Sequence, residues 1–177
     1  MKPAQSETPF TYPLVTIDFE ASALTLQSYP IEVGIAIAHS LTGAIDVWSS
    51  LIEPDASWAL AEQWDPDAEK IHGISRRELR EGMSAMAVMT ILNDLAPDGA
   101  QAWCDGGHYD AHWLAVLEAA AERSATFKLS DLGPVIRADP DRYPQFISVM
   151  SRSKPPHRAG PDAKRLCSAL RETYPVL

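Results

Sequence analysis

The stretch "PLVTIDFEAS", residues 13–22, is a β-rich run that sets two acids beyond Leu14, Val15 and Ile17. Successive side chains of a strand point to opposite faces, so Asp18 and Glu20 share one face and Phe19 takes the other. Two carboxylates at i and i+2 on an otherwise apolar strand are costly to bury unless something neutralises them. Either the strand ends in water at this point, or a divalent cation sits against both acids.

Working outward, "IEVGIAIA" (31–38) and "AIDVWSSLI" (44–52) read as two further strands. They are joined by "HSLTG", whose Thr42-Gly43 suits a hairpin turn. Three strands linked by short turns predict an antiparallel meander. Beyond it the period changes. "DPDAEKIHG" and "SRRELREG" read as short helical turns, and Ser84 can cap a helix with Met86, Met89, Leu92 and Leu95 along one stripe. A short apolar strand, "AQAWCD" (100–105), precedes a helix from His108, and "FKLSDL" (127–132) is a weaker strand. A short helix is expected within "DPDRYPQFISVMSRS", and a last one from near Pro161. A meander followed by strand–helix alternation predicts a mixed α/β sheet covered by helices. Residues 1–12, polar and Pro-bearing, are expected to form a flexible arm ahead of one domain spanning 13–177.

A chain of 177 residues with 46% hydrophobic and 22% charged side chains has the make-up of a soluble globule with a real core. No apolar run approaches the roughly 20 residues needed to span a bilayer, and the first residues lack the pattern of a signal peptide. A cytoplasmic protein is expected. Cys104 and Cys167 are too few for a disulfide framework and read as free, packed thiols. The net charge of −9 argues against electrostatic capture of long duplex DNA. It does not exclude a nuclease, because carboxylates that hold metal ions add negative charge which the ions then reverse.

Two more acids stand at helix starts. In "HYDAHWLAVL" (108–117), Asp110, Trp113, Leu114 and Leu117 follow the i, i+3, i+4, i+7 rule, which puts Asp110 on the buried side of its first turn. An acid is welcome there in any helix, since the N-terminal end of the dipole is positive. In "PPHRAGPDAKRL" (155–166), Gly160 suits the cap, Pro161 the first helical position, and Asp162 the first turn. Asp162 leans toward the buried stripe of Ala163, Leu166, Cys167 and Leu170. His157 then belongs to the preceding loop. It is either incidental there or a base that meets the site from the solvent side.

The order of these signals resembles the DEDDh family of 3′–5′ exonucleases, DnaQ-like members of the ribonuclease H-like superfamily. "DFEAS" is similar to that family's first motif, "YDAHWL" to its second and "HRAGPDA" to its third. "PIEVGIAI" and "IHGIS" are similar to segments that members carry between the first two. The resemblance runs from about residue 13 to residue 172. It implies a ribonuclease H-like fold, with a five-stranded mixed sheet (three antiparallel strands, then parallel ones) flanked by helices.

The resemblance also implies roles. Asp18, Glu20, Asp110 and Asp162 would bind two Mg²⁺ or Mn²⁺ ions, and His157 would be the general base. Mg²⁺ prefers hard oxygen ligands, two ions can steady both oxygens of an in-line displacement, and an imidazole titrates near neutral pH. The reaction implied is hydrolysis at the 3′ end of single-stranded DNA, RNA or short oligonucleotides, releasing nucleoside 5′-monophosphates. Ser22, Ala23, Leu24 and His72 would line the pocket for the terminal nucleotide. A homodimer is an assembly open to the chain by the same analogy, and no membrane partner is expected.

Departures from the pattern bear on substrate rather than metal. Ala21-Ser22-Ala23 stands where many members have T-T-G. Asp105, Gly106 and Gly107 stand where many have H-N. His108 and His112, spaced i, i+4, lack the glutamate and third ligand of a zinc helix and read as a solvated face. Trp48 and Trp113 read as core, whereas Trp58 and Trp64 fall in a loop where they could be exposed and touch substrate. The alternative reading is a catalytically silent nucleic-acid- or protein-binding module on the same fold. A module serving a larger complex is a third, although the chain ends at Leu177 with no long tail expected for docking.

Overall fold

The computed structural model of the protein describes residues 8–59 and 63–177. Five strands, β1 (Leu14–Ala21), β2 (Pro30–Ala38), β3 (Ile45–Leu51), β4 (Gln101–Cys104) and β5 (Lys128–Asp131), form one sheet in the order β3-β2-β1-β4-β5. The helices are α1 (Ala56–Ala59), α2 (Pro66–His72), α3 (Ala85–Leu95), α4 (His108–Ala121), α5 (Leu132–Arg137), α6 (Tyr143–Met150) and α7 (Ala159–Thr173). A 3₁₀ turn, Glu78–Glu81, stands before α3. β1 pairs antiparallel with β2, and β2 with β3, while β1, β4 and β5 run parallel. The meander is as the spacing of the apolar runs predicts, and the parallel strands beside it are as the resemblance implies.

Alternation sorts the strands' side chains onto two faces. Val15, Ile17 and Phe19 of β1, with Ile31, Val33, Ile35 and Ile37 of β2, pack in one core with Val88, Met89 and Leu92 of α3 and Trp113, Leu114 and Leu117 of α4. On the opposite face, Leu14, Ala36 and Ala38 join Ala163, Leu166, Cys167 and Leu170 of α7 in a second core. Asp18 and Glu20 have the parity of this second face, which is the face that α7 covers.

The β2 residues of that parity are Glu32, Gly34, Ala36 and Ala38, mostly small, so α7 can lie close. At Gly34 the approach is extreme: a Cβ there would collide with the backbone of Ala159 and Gly160. The hydroxyl of Thr16 donates to the carbonyl of Ala163 at 2.7 Å, a second tie between β1 and the first turns of α7.

Four local expectations change. The buried stripe of α3 is Ala85, Val88, Met89 and Leu92, whereas Met86 and Leu95 are exposed. The observed stripe follows i, i+3, i+4, i+7 from Ala85, whereas the expected one stepped by three from Met86; the true start is a small alanine that carries little hydrophobic signal. α5, absent from the sequence reading, contains Gly133 and Pro134, poor formers that hide it; the Asp131 carboxylate caps it by accepting from Gly133 N–H at 2.8 Å. α7 begins at Ala159, two residues before Pro161, with Arg158 rather than Gly160 in the cap position.

The fourth concerns the arm. Residues 1–7 lie outside the described residues, but residues 8–12 are not loose. Phe10 is fully buried, edge-on to Trp103 and Tyr174 at 5.1 and 5.2 Å. Tyr12 N–H donates to Leu177 O and Leu177 N–H to Phe10 O, at 2.7 and 3.0 Å, which pairs this segment with the C-terminal residues. Cys104 and Cys167 are free and buried, as expected.

Candidate active site

The acids converge at the ends of β1 and β4 and the starts of α4 and α7. One carboxylate oxygen from each of Asp18, Glu20 and Asp162 lies within 4.8 Å of the others, and the same holds for Asp18, Asp105 and Asp110. Asp18 belongs to both groups. Sequence reasoning brought four of these five acids together and missed Asp105, which it took only as a departure from the "HN" of the second motif. The signal was present. β4 lies beside β1 in parallel, so an acid one residue past β4 arrives at the same sheet end as one late in β1.

Two helix starts are folded so that their acids face inward. Asp110, 1% exposed, accepts from Gly106 N–H through Oδ2 at 2.9 Å. A Cβ on Gly106 would stand 2.6 Å from that oxygen, and Gly107 takes φ +60°, so the two glycines allow a turn tight enough for the bond. Asp162 repeats the device in α7, where its Oδ2 accepts from Arg158 N–H at 3.2 Å. Its other oxygen, Oδ1, is buried without a hydrogen-bond partner among the described residues.

Glu32 anchors that second start. It is 3% exposed, and its Oε2 accepts from Ala159 N–H at 2.9 Å, a helix cap supplied from β2. The same carboxylate takes the Arg158 guanidinium in a two-pronged pair, Nη2 to Oε1 at 2.7 Å and Nε to Oε2 at 3.0 Å. α7 thus starts early because its first free N–H finds an acceptor 127 residues away in sequence.

The electrostatics are lopsided. Among the described residues, the ion pairs within 4.0 Å include just one at these five acids, Arg165 to Asp162 at 3.8 Å. Burial, then repulsion from Asp110, Glu20, Asp105 and Asp162, holds the Asp18 carboxyl well above the usual carboxylate range. Burial and the neighbouring Glu32 and Asp162 push Glu20 up to about 8. Burial, with help from Asp105 and Asp131, pushes Asp110 up to about 7 against the hydrogen bonds from Cys104 and Gly106 that lower it.

A cavity of about 510 Å³ opens over this cluster. Asp18, Glu20, Asp105, His157 and Asp162 line it, together with Ala23, Leu24, Ala68, Ile71 and His72. His157 stands in the exposed segment before α7, as predicted, with φ +53°, a left-handed conformation uncommon for a residue with a Cβ. The segment is tethered by Arg165, whose guanidinium donates to the carbonyls of Met150 and Ser153.

The expected substrate contacts divide. Leu24 is 64% exposed on the cavity wall, not core, and Ala23 lies beside it. His72 is buried in the wall, and its Nδ1 accepts from Ile74 N–H at 3.0 Å. The proton therefore resides on Nε2, which has no hydrogen-bond partner among the described residues. Ser22 does not join them. It is fully buried, its hydroxyl accepts from Tyr29 N–H, and its carbonyl accepts from Asp65 N–H, so it closes a turn instead.

Trp58 is also inside, stacked on Tyr29 at 5.6 Å, contrary to the expectation of exposure. Trp64 is half-buried, with Nε1–H on Glu69 and the Arg76 guanidinium over its ring. Among the described residues, His108 and His112 join no metal-ligand group.

No protein-family model matches the sequence, and no curated protein matches it either. Solved structures do. Escherichia coli Exonuclease I in complex with a dA16 oligonucleotide superposes with a TM-score of 0.68 at 14% identity over 89% of this chain. The zinc-bound Exonuclease I–ssDNA complex gives 0.62 at 15%, and the complex with a 5cy-dA13 oligonucleotide 0.61 at 14%. This chain spans 38–40% of the length of those proteins. The protein has the ribonuclease H-like exonuclease fold of Exonuclease I.

Proposed function

We propose that the protein is a divalent-metal-dependent 3′–5′ exonuclease of the DEDDh type, acting on the free 3′ ends of single-stranded DNA, RNA or short oligonucleotides. The observation that carries this reading is the pair of carboxylate triads sharing Asp18, with the base candidate His157 lining the cavity that Asp18, Glu20, Asp105 and Asp162 also line. Five acids with one ion pair among them, and one buried oxygen of Asp162 without a hydrogen bond, both counted among the described residues, fit Mg²⁺ or Mn²⁺ and its preference for oxygen ligands. Asp18, Glu20 and Asp162 would hold one ion, and Asp18 with Asp110 the other. When bound, the two ions supply positive charge to the attacked phosphate and to the leaving 3′ oxygen.

The remaining work falls to the chain. A nitrogen of the His157 imidazole takes the proton of the attacking water from the open side of the cavity. Leu24 and Ala23 present an apolar edge for the terminal base, and the unpaired His72 Nε2–H offers a donor to an acceptor of the terminal nucleotide. Exonuclease I, whose fold this chain shares, is seen in complex with single-stranded DNA, which supports a single-stranded substrate for this chain.

Asp18→Ala and Asp162→Ala test the reading. Each purified variant is expected to fold and to cleave no oligonucleotide. Cleavage retained by either one overturns it. A folded wild-type protein that binds a labelled single strand but never shortens it, with any metal, favours the silent binding module.

A further inference from the structure

Resting on the metal-centre reading above, we infer that Asp105 is a fifth carboxylate of that centre, and that it lets the free protein hold both cations before any nucleic acid arrives. The four acids of the motif pattern give unequal shares: three around one position, Asp18, Glu20 and Asp162, but only Asp18 and Asp110 around the other. Asp105 makes the second position a triad as well, with all three oxygens inside 4.8 Å. A place with two carboxylates needs a substrate phosphate to complete its charge and ligand count; a place with three does not.

The local fold is arranged for this convergence. Asp105 directly follows β4, whose partner β1 ends in Asp18 and Glu20. The chain must then turn back within Gly106-Gly107 for Asp110 to reach the same point. Both positions resist a side chain, one because a Cβ would press on the Asp110 carboxylate and one because of its positive φ. Among the described residues, Asp105 forms no ion pair within 4.0 Å, so no side-chain cation is in contact with the oxygens that it brings to Asp18 and Asp110. It also lines the cavity, open to an entering ion.

The test is a calorimetric Mn²⁺ titration of nucleic-acid-free protein, with bound Mn²⁺ counted by electron paramagnetic resonance. Wild-type protein is expected to take two Mn²⁺ per chain. Asp105→Asn is expected to keep one and to weaken the other about tenfold or more. Asp67→Asn removes a charge from the lining of the same cavity outside both triads and is expected to keep two. Asp105→Ala, with a smaller side chain and no amide, should repeat the Asp105→Asn result, and thermal unfolding checks that each variant folds. Unchanged stoichiometry and affinity in Asp105→Asn overturns the inference and leaves the exonuclease reading standing. Equal weakening in Asp67→Asn also overturns it, because general charge would then be the cause. No Mn²⁺ bound by the wild type removes the metal-centre reading itself.

Discussion

Gly34 and Ala159 touch backbone to backbone, and no side chain larger than hydrogen fits between them. Gly34 is also the register partner of Asp18 across β1 and β2. One glycine therefore sets how near the last helix comes to the first acid, and α7 delivers Asp162 to Asp18 and Glu20 through that contact. The obstruction at Gly34 is backbone, which cannot swing aside as a side chain would.

Gly34→Ala should force the start of α7 away from the sheet. A stability loss of about 1–3 kcal/mol is expected, as for other overpacked cores. Cleavage should fall by about a hundredfold, because an ångström of displacement at a reacting centre has that scale of effect. Denaturant unfolding beside a cleavage assay reads both, and a variant as active and as stable as wild type would show that α7 is placed by other means.

Glu32→Ala removes the cap on Ala159 and the partner of Arg158. Because Arg158 is 45% exposed it can turn to water, so the expected cost is about 1–3 kcal/mol, less than for a fully buried pair. Glu32→Gln keeps an acceptor for Ala159 N–H and should lose less. If the two variants have the same unfolding midpoint as wild type, the early start of α7 does not depend on Glu32.

The crowded acids make stability depend on pH in a fixed direction. Glu20, up to about 8, and Asp110, up to about 7, both titrate in the folded protein above their ordinary values of 4.5 and 3.8. The folded state thus holds more protons than the unfolded state between those limits, and stability is lost as pH rises through 7 to 8. In EDTA, the melting temperature should fall from pH 6 to pH 8.5. Added Mg²⁺ should raise it more at pH 8.5 than at pH 6, since the ion competes with protons for the same oxygens. A flat profile in EDTA, or an equal Mg²⁺ increment at both pH values, contradicts the clustering of these carboxylates.

The antiparallel meander and the place of each of the four acids on its own element were legible because they follow from a local period, two for β1 and 3.6 with a first-turn acid for α4 and α7; that the four meet was implied by the resemblance alone. Asp105 was not legible, since its place depends on β4 lying parallel to β1, a pairing that no local pattern encodes. The start of α7 was misplaced for a similar reason. Gly160-Pro161 is a sound local start signal, but Glu32 outcompetes it from the far end of the sequence. Ser22 shows the opposite failure, a residue adjacent to the acids in sequence whose side chain a turn consumes. Trp58 and Phe10 were hidden in stretches without periodicity, where single aromatic anchors rather than patterns decide burial.

His157 lies outside both carboxylate triads, which separates its role from metal binding. The most direct measurement is digestion of matched 5′-labelled single-stranded DNA and RNA with Mg²⁺, with Mn²⁺ and with EDTA, beside His157→Ala. A metal-dependent ladder shortening from the 3′ end is expected, slowed in His157→Ala by about 10²–10⁴-fold, the usual contribution of a general base, while the variant keeps its Mg²⁺-induced rise in melting temperature. No shortening of either strand with any metal, or full activity in His157→Ala, would contradict the proposed function.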